Sequence, residues 1–494
     1  MTREYKGTIM KNILSALALA FLFSLPVKAA DLAAFGLDSI DASDISGIVP
    51  TPVPGVDAAP VVTPSPAGPK EWTVMFYSTT KDQLRFALMW QLLEMKRTGS
   101  TSKVNVVVQA ALPVQGQDGK ISTPTVRIAL GNAGGSAALD QTIEAMFTDG
   151  VIKESTLAPL ASDIISRTNN TDTGNWRNVA DFTRWAKTNY PAKRYAFVIY
   201  GHGNGIFDEK KTNKGTLKDT DTGNYVTLPE MRLMMAETGK VDIFVMTSCI
   251  MQMAEVAWQI KDHTDVVVGS SELMSAVGYD LGGMLSTLNA YPGIASERLG
   301  AQLTDGYIER VKAFNIPGGH ASVILTSKLP GFVEKLNAWA DAEMLLKDKA
   351  ALASAVKDVA RFDIFGITMA TSAVIARTFS ISGDLYDFVS LMTANRPQDT
   401  PERADAALKG RALMDYIAND LVYKYSYTGV SNTGFDYGRA HGVSLHIPPI
   451  RLPTASLADF EKMLETLYWD LPFAKETRWG AFLSGIYGRG AKRK

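Results

Sequence analysis

Two stretches decide the fold: Tyr195-Ala-Phe-Val-Ile-Tyr-Gly-His-Gly-Asn-Gly205 and Val241-Asp-Ile-Phe-Val-Met-Thr-Ser-Cys249. Each opens with a short apolar run rich in β-branched and aromatic residues. Such runs read as strands buried on both faces, because no polar residue alternates with the apolar ones. Similar runs recur at Trp72–Tyr77, Val104–Val108 and Val266–Val268. Longer amphipathic stretches separate them, at Gln83–Met95, Trp176–Tyr190, Leu228–Glu237 and Ile250–Lys261. Short apolar runs alternating with helical patterns predict βα units and a mostly parallel sheet.

In such sheets, ligands sit beyond the carboxyl ends of the strands. There the sequence places His202, in a glycine-rich turn, and Cys249, the single cysteine of the chain. If the two strands are neighbours, thiol and imidazole face one crevice, and the imidazole can take the thiol proton during nucleophilic attack. A helix starting at Ile250 would place the thiol at its N-terminus and lower its pKa. The Gly203 and Cys249 N–H groups are then donors for an oxyanion. A lone cysteine equally fits a buried small hydrophobe, so the residues alone leave both readings open.

The rest of the chain sets bounds. It has 494 residues, 50 basic against 51 acidic side chains, and 46% hydrophobic residues. These are globular values for a chain of two or three domains. The near balance of charge and a pI of about 6.6 argue against bulk electrostatic binding of nucleic acid. One cysteine excludes an intramolecular disulfide framework and cysteine-rich zinc sites. Neither His-Glu-x-x-His, Gly-x-x-x-x-Gly-Lys nor Gly-x-Ser-x-Gly at a strand–helix turn occurs, which leaves metalloprotease, nucleotide-binding and serine-hydrolase readings unsupported. His263, His320, His441 and His446 read as structural.

The amino terminus reads as an address. Met10-Lys-Asn, the apolar run Ile13–Leu25 and Pro26-Val-Lys-Ala-Ala-Asp31 form a secretory signal pattern over residues 1–29. No later stretch reaches the roughly 18 uninterrupted apolar residues of a membrane span. A soluble exported protein, periplasmic or extracellular and without a stable membrane anchor, is expected. Residues 30–70 carry Pro50, Pro52, Pro54, Pro60, Pro64, Pro66 and Pro69 and read as a disordered linker or pro-segment. A sheet domain follows over 71–329. A helix-rich region spans 330–494, with a late strand at 441–449 expected to return to the sheet.

The quoted motifs, in their order and spacing, resemble the clostripain family of cysteine peptidases. They are joined by Thr227-Leu-Pro-Glu-Met-Arg232, Val266-Val-Val-Gly-Ser-Ser-Glu272 and Gly442-Val-Ser-Leu-His-Ile-Pro448. The resemblance implies a caspase-like α/β three-layer sandwich, with Cys249 as nucleophile and His202 as general base. It further implies hydrolysis of protein or peptide substrates through a thioester. It also implies cleavage after basic residues, assisted by an Asp two residues before the cysteine, where this chain has Thr247. Glu272 and Asp280 are candidates to supply a pocket charge instead. No cofactor is implied, although some relatives need calcium, for which Asp219 and Asp221 are the candidates. Internal processing would fall in the polar loop 208–219, at Lys210, Lys211, Lys214 or Lys218. The alternatives are an exported binding or surface protein on the same fold with a relic dyad, and a thiol acyltransferase. The oligomeric state is left open.

Overall fold

Apolar side chains alternate between two buried faces along each central strand. In the computed structural model, which describes residues 68–206, 215–316, 318–362, 381–394, 396–429, 436–448 and 468–486, Met75, Tyr77, Phe197, Ile199, Phe244 and Met246 enter one core. Their neighbours Val74, Phe76, Val198, Tyr200, Ile243 and Val245 enter another. Each large side chain fully buried this way contributes roughly 1.5–3 kcal/mol. A strand with two such faces is stable only between two helical layers.

The strands are β1 (Lys70–Ser78), β2 (Val104–Ala111), β3 (Val114–Gln115), β4 (Ile121–Ser122), β5 (Thr125–Ala129), β6 (Ile164–Thr168), β7 (Ala192–Tyr200), β8 (Val241–Thr247), β9 (Thr264–Gly269), β10 (His320–Leu325), β11 (Ser382–Asp384), β12 (Val422–Tyr427) and β13 (Ser444–His446). The main sheet has the order β12-β10-β9-β8-β7-β1-β2-β5-β6. Its centre, β9-β8-β7-β1-β2, is parallel. Antiparallel strands extend both sides.

Helices α1 (Arg85–Thr98), α2 (Ala137–Asp149), α3 (Trp176–Asn189), α4 (Leu228–Thr238), α5 (Ala254–Ile260), α6 (Leu281–Ala290), α7 (Ser296–Ala313), α8 (Leu329–Leu346), α9 (Lys349–Asp358), α10 (Leu385–Ala394), α11 (Pro401–Tyr416), α12 (Pro472–Glu476) and α13 (Arg478–Ile486) cover the faces. Local chemistry sets their ends. Thr227 and Glu230 form a reciprocal capping box at the start of α4, and Gly239 closes it with φ +71°. Between α8 and α9 the chain breaks at Lys347, in the left-handed region at φ +53°, and Asp348 caps α9.

Helices α8 to α13 pack into the same core as Phe244 and Met246. The late strand does not rejoin the main sheet. Ser444–His446 pairs antiparallel with β11, because the outer edge of β10 is taken by β12. That strand, Val422-Tyr-Lys-Tyr-Ser-Tyr427, lies inside the region read as helical. The proposed signal and linker (1–29 and 30–67), residues 208–214 of the candidate processing loop and residue 449 lie outside the described residues.

A buried ion pair ties α8 to the segment after α10. Arg396 donates through both terminal nitrogens to Glu343, at 2.7 Å each, and the two side chains are 1% and 0% exposed. Removing one partner strands a buried charge, at a cost of about 3–5 kcal/mol. Arg396→Met should therefore shift the urea unfolding midpoint down by that stability. The double variant Glu343→Leu/Arg396→Met should recover most of it.

Candidate active site

The chain leaves β1 for β2 on one side, while β7 and then β8 lie on the other. This reversal of strand order opens a crevice at the carboxyl ends. Three adjacent strands deliver their following loops to it: Thr79–Asp82 after β1, Gly201–Gly205 after β7, and Ser248–Cys249 after β8.

Asp82 was not singled out from the sequence, although it follows the first apolar run at the same sheet end. Its Oδ2 lies 2.6 Å from His202 Nε2, and its Oδ1 accepts the Leu84 N–H at 3.0 Å. Burial opposes the Asp82 charge. The His202 bond, the imidazole charge and the Leu84 N–H outweigh it and hold the carboxyl below its usual range. The bond fixes the plane of the imidazole and commits one ring nitrogen to the carboxylate.

Cys249 is not at a helix start. The expected helix from Ile250 begins only at Ala254. Ile250 instead adopts φ +59°, a conformation that costs a β-branched residue about 1–2 kcal/mol. Two bonds across to the segment after β9 hold it there: Ile250 N–H to Glu272 O at 3.1 Å and Gln252 N–H to Ser270 O at 3.0 Å. Those amides therefore never close a helical turn behind the thiol. The expected lowering of the thiol pKa is accordingly reversed. Burial pushes Cys249 up to about 11, the Met274 N–H and its own N–H pull it down, and the Glu272 charge pushes it up. The Met274 N–H donates to Sγ at 3.2 Å, and Sγ lies 3.8 Å from the Met274 carbonyl. The resting thiol is neutral at pH 7.

The histidine and cysteine loops meet backbone to backbone. A Cβ on Gly203 would stand 2.5 Å from the Cys249 carbonyl oxygen and 2.7 Å from Ser248 Cβ. A Cβ on Gly205, at φ +56°, would stand 2.7 Å from the Ile250 carbonyl oxygen. Only glycine allows this approach.

The three pocket candidates separate. Thr247 is buried at the end of β8, cross-strand from Tyr200. Glu272 is buried near the thiol; it accepts the Leu273 N–H at 2.6 Å and the Tyr437 hydroxyl. Asp280 is a helix cap: it accepts the Gly283 N–H at 3.0 Å at the start of α6 and faces Arg310 at 4.0 Å. The calcium candidates are engaged by a lysine. Lys81 already bridges Asp219 and Asp221 at 2.9 and 3.0 Å, and Asp219 also accepts from Thr173 N–H and Oγ1. Among the described residues, no group of three or more His, Cys, Asp or Glu is placed to hold a metal. His320 is buried, with its pKa pushed down to about 3 by burial, so it stays neutral.

The sequence matches the profile of the Clostripain family over residues 132–485. Asp82 lies upstream of the match. Solved structures share the fold. A secreted C11 cysteine protease from Bacteroides thetaiotaomicron, in complex with an irreversible peptide inhibitor, is 15% identical with a TM-score of 0.54, covering 82% of this chain and 99% of that one. An inactive zymogen C11 protease from Parabacteroides distasonis is 14% identical with a TM-score of 0.55, covering 84% and 99%. The Bacteroides thetaiotaomicron secreted C11 cysteine protease "iotapain" is 16% identical with a TM-score of 0.54, covering 84% and 99%. No curated protein matches in sequence.

Two outcomes follow from this geometry. Alkylation of the single thiol by iodoacetamide should be slow at pH 7 and rise with pH toward an apparent pKa of about 11 in the folded protein. The urea-unfolded chain should titrate near the ordinary value of about 8.5. Gly203→Ala should keep the fold by circular dichroism yet lower kcat/KM by about 10²-fold, because the loops can no longer touch.

Proposed function

The chain belongs to the clostripain family and is a cysteine peptidase, and from that premise we propose that Cys249 is its nucleophile, His202 its general base and Asp82 the residue that orients the base. The observation carrying this reading is the three-loop convergence, with Asp82 on His202 and Gly203 on Cys249.

The chemistry follows from the resting state. A thiol near pKa 11 does not ionise spontaneously at neutral pH. Its proton must move to His202 as sulfur attacks the peptide carbonyl. Asp82, kept ionised, stabilises the imidazolium as it forms and makes that transfer less uphill. The carbonyl oxygen, now negative, is met by the N–H groups of Gly203 and Cys249. His202 then protonates the leaving amine, which leaves a thioester on Cys249. Water, deprotonated by His202, hydrolyses the thioester and restores the thiol. The scheme assigns no step to a metal ion. Thr247 carries no charge with which to hold a basic side chain. The substrate is a protein or peptide.

Export is part of the proposal. Its support is the signal pattern of residues 1–29, and among the described residues no helix is long and apolar enough to cross a membrane. N-terminal sequencing of mature protein should read from Ala30. An intact Met1 or Met10 terminus on the exported material would refute it.

For the mechanism, Cys249→Ala and His202→Ala should each abolish peptide cleavage, and the double variant should be no worse than either alone, because the pair acts as one unit. Asp82→Asn should lower kcat by about 10²-fold, since the imidazolium that forms during the reaction loses its carboxylate. Full activity in either alanine variant would assign the chemistry elsewhere.

A further inference from the structure

Asp82 lies in the loop after β1, and its nearest bonds along the chain are local. Its Oδ1 accepts the Leu84 N–H at 3.0 Å, and its carbonyl accepts the Arg85 N–H at 3.1 Å. These tie it to the start of α1. The preceding residue ties it to the chain beyond His202. Lys81 Nζ lies 2.9 Å from Asp219 Oδ2 and 3.0 Å from Asp221 Oδ2. The Lys81 and Asp219 side chains are 4% and 0% exposed. Asp219 is itself fixed: it accepts the Thr173 N–H at 2.9 Å, the Thr173 hydroxyl at 2.8 Å and the Asp221 N–H at 3.0 Å. The Thr173 carbonyl in turn accepts the Tyr77 hydroxyl of β1 at 2.9 Å. Burial opposes the Asp219 charge, and Lys81 with the Thr173 donors outweighs it and holds the carboxyl below its usual range.

The segment that carries Asp219 also holds the backbone of His202. The Leu217 N–H donates to the His202 carbonyl at 3.1 Å. Leu217 has φ +55°, a strained conformation for a residue with a side chain, and it persists only where the surroundings over-determine it. Gly201, just before His202, lies between the two loops: a Cβ there would stand 3.2 Å from Thr79 Oγ1 and 3.8 Å from Leu217 Cδ2. The bonds therefore close a circuit. Asp82 meets the His202 ring, the His202 carbonyl meets Leu217, and Asp219 meets Lys81, which adjoins Asp82. A buried ion pair adds little net stability, because desolvation offsets its attraction; what this one supplies is a fixed geometry.

Resting on the roles assigned above to Asp82 and His202, we propose that Lys81, held by Asp219, is a further positioning residue of the reaction, which sets the Asp82 carboxylate against the ring of the base. Lys81 touches no reacting atom. Its effect passes through Asp82, and a misplacement of about 1 Å there slows proton transfer without weakening the hold on substrate.

The test uses the full mature protein and a double-variant cycle. For one peptide that the wild type cleaves, kcat and KM are measured in Lys81→Met, Asp219→Asn and Asp82→Asn, and in each of the first two combined with Asp82→Asn, with Cys249→Ala as the blank. Lys81→Met and Asp219→Asn should each lower kcat about tenfold while KM stays within about twofold. In the Asp82→Asn background neither should cost more than about twofold further, since the carboxylate they place is gone. Circular dichroism reports folding, and where one of the two variants does not fold, the other decides. Wild-type kcat in folded Lys81→Met or Asp219→Asn overturns the inference. So does a loss that falls on KM, or one equally large in the Asp82→Asn background, since either marks a structural role alone; these outcomes leave the peptidase reading standing. Wild-type kcat in Asp82→Asn or His202→Ala overturns the role assignment and this inference with it, as does the absence of any Cys249-dependent cleavage.

Discussion

The five central parallel strands bury both of their faces, and that constraint governs everything else about the molecule. A sheet covered on both sides offers no polar surface along its length. Chemistry can occur only where the chain leaves it. The reversal of strand order at β1 and β7 makes the carboxyl ends of β1, β7 and β8 one continuous edge, so the three loops that leave there share a crevice.

Within the crevice the thiol is kept in a costly state. Cys249 follows a strand directly, precedes a left-handed isoleucine and is raised in pKa by burial and by Glu272. Its reactivity is not stored as a ready thiolate. Under the proposed mechanism it depends on proton transfer to His202, whose ring Asp82 holds. This arrangement protects a lone thiol, since oxidation proceeds through the thiolate. It also confines activation to the moment when a carbonyl is in place.

The carboxyl-terminal region is tied to the same edge. Tyr437 donates to Glu272, whose backbone carbonyl holds the Ile250 N–H just after Cys249. Ser444 donates to the Gln252 carbonyl at 3.2 Å through its backbone, and Met253 bridges Ser444. Residues remote in sequence thus brace the loop that carries Cys249. A helical region without polar motifs of its own serves the site by packing.

Much of this was legible in the residues alone. Apolar runs without alternation specify two-faced strands, and helical patterns between them specify parallel crossovers, because both signals are local. The strands carrying His202 and Cys249 were readable for the same reason. Strand partnership is not local. Nothing in Lys81-Asp82 marks Asp82 as the partner of His202, 120 residues away; only the pairing of β1 with β7 brings them together. Nor does sequence distinguish a thiol at a helix start from one five residues ahead of it, because the amides of Ile250 and Gln252 are captured by the segment after β9 rather than by the next helical turn. Val422–Tyr427 became the sheet edge, and Ser444–His446 did not, through competition for one exposed row of backbone groups on β10. The sequence by itself determined the sheet, its helices and the sheet end at which His202 and Cys249 emerge. Tertiary structure alone decided the carboxylate beside His202 and the acidity of the thiol, since each depends on which distant groups share a low-dielectric space.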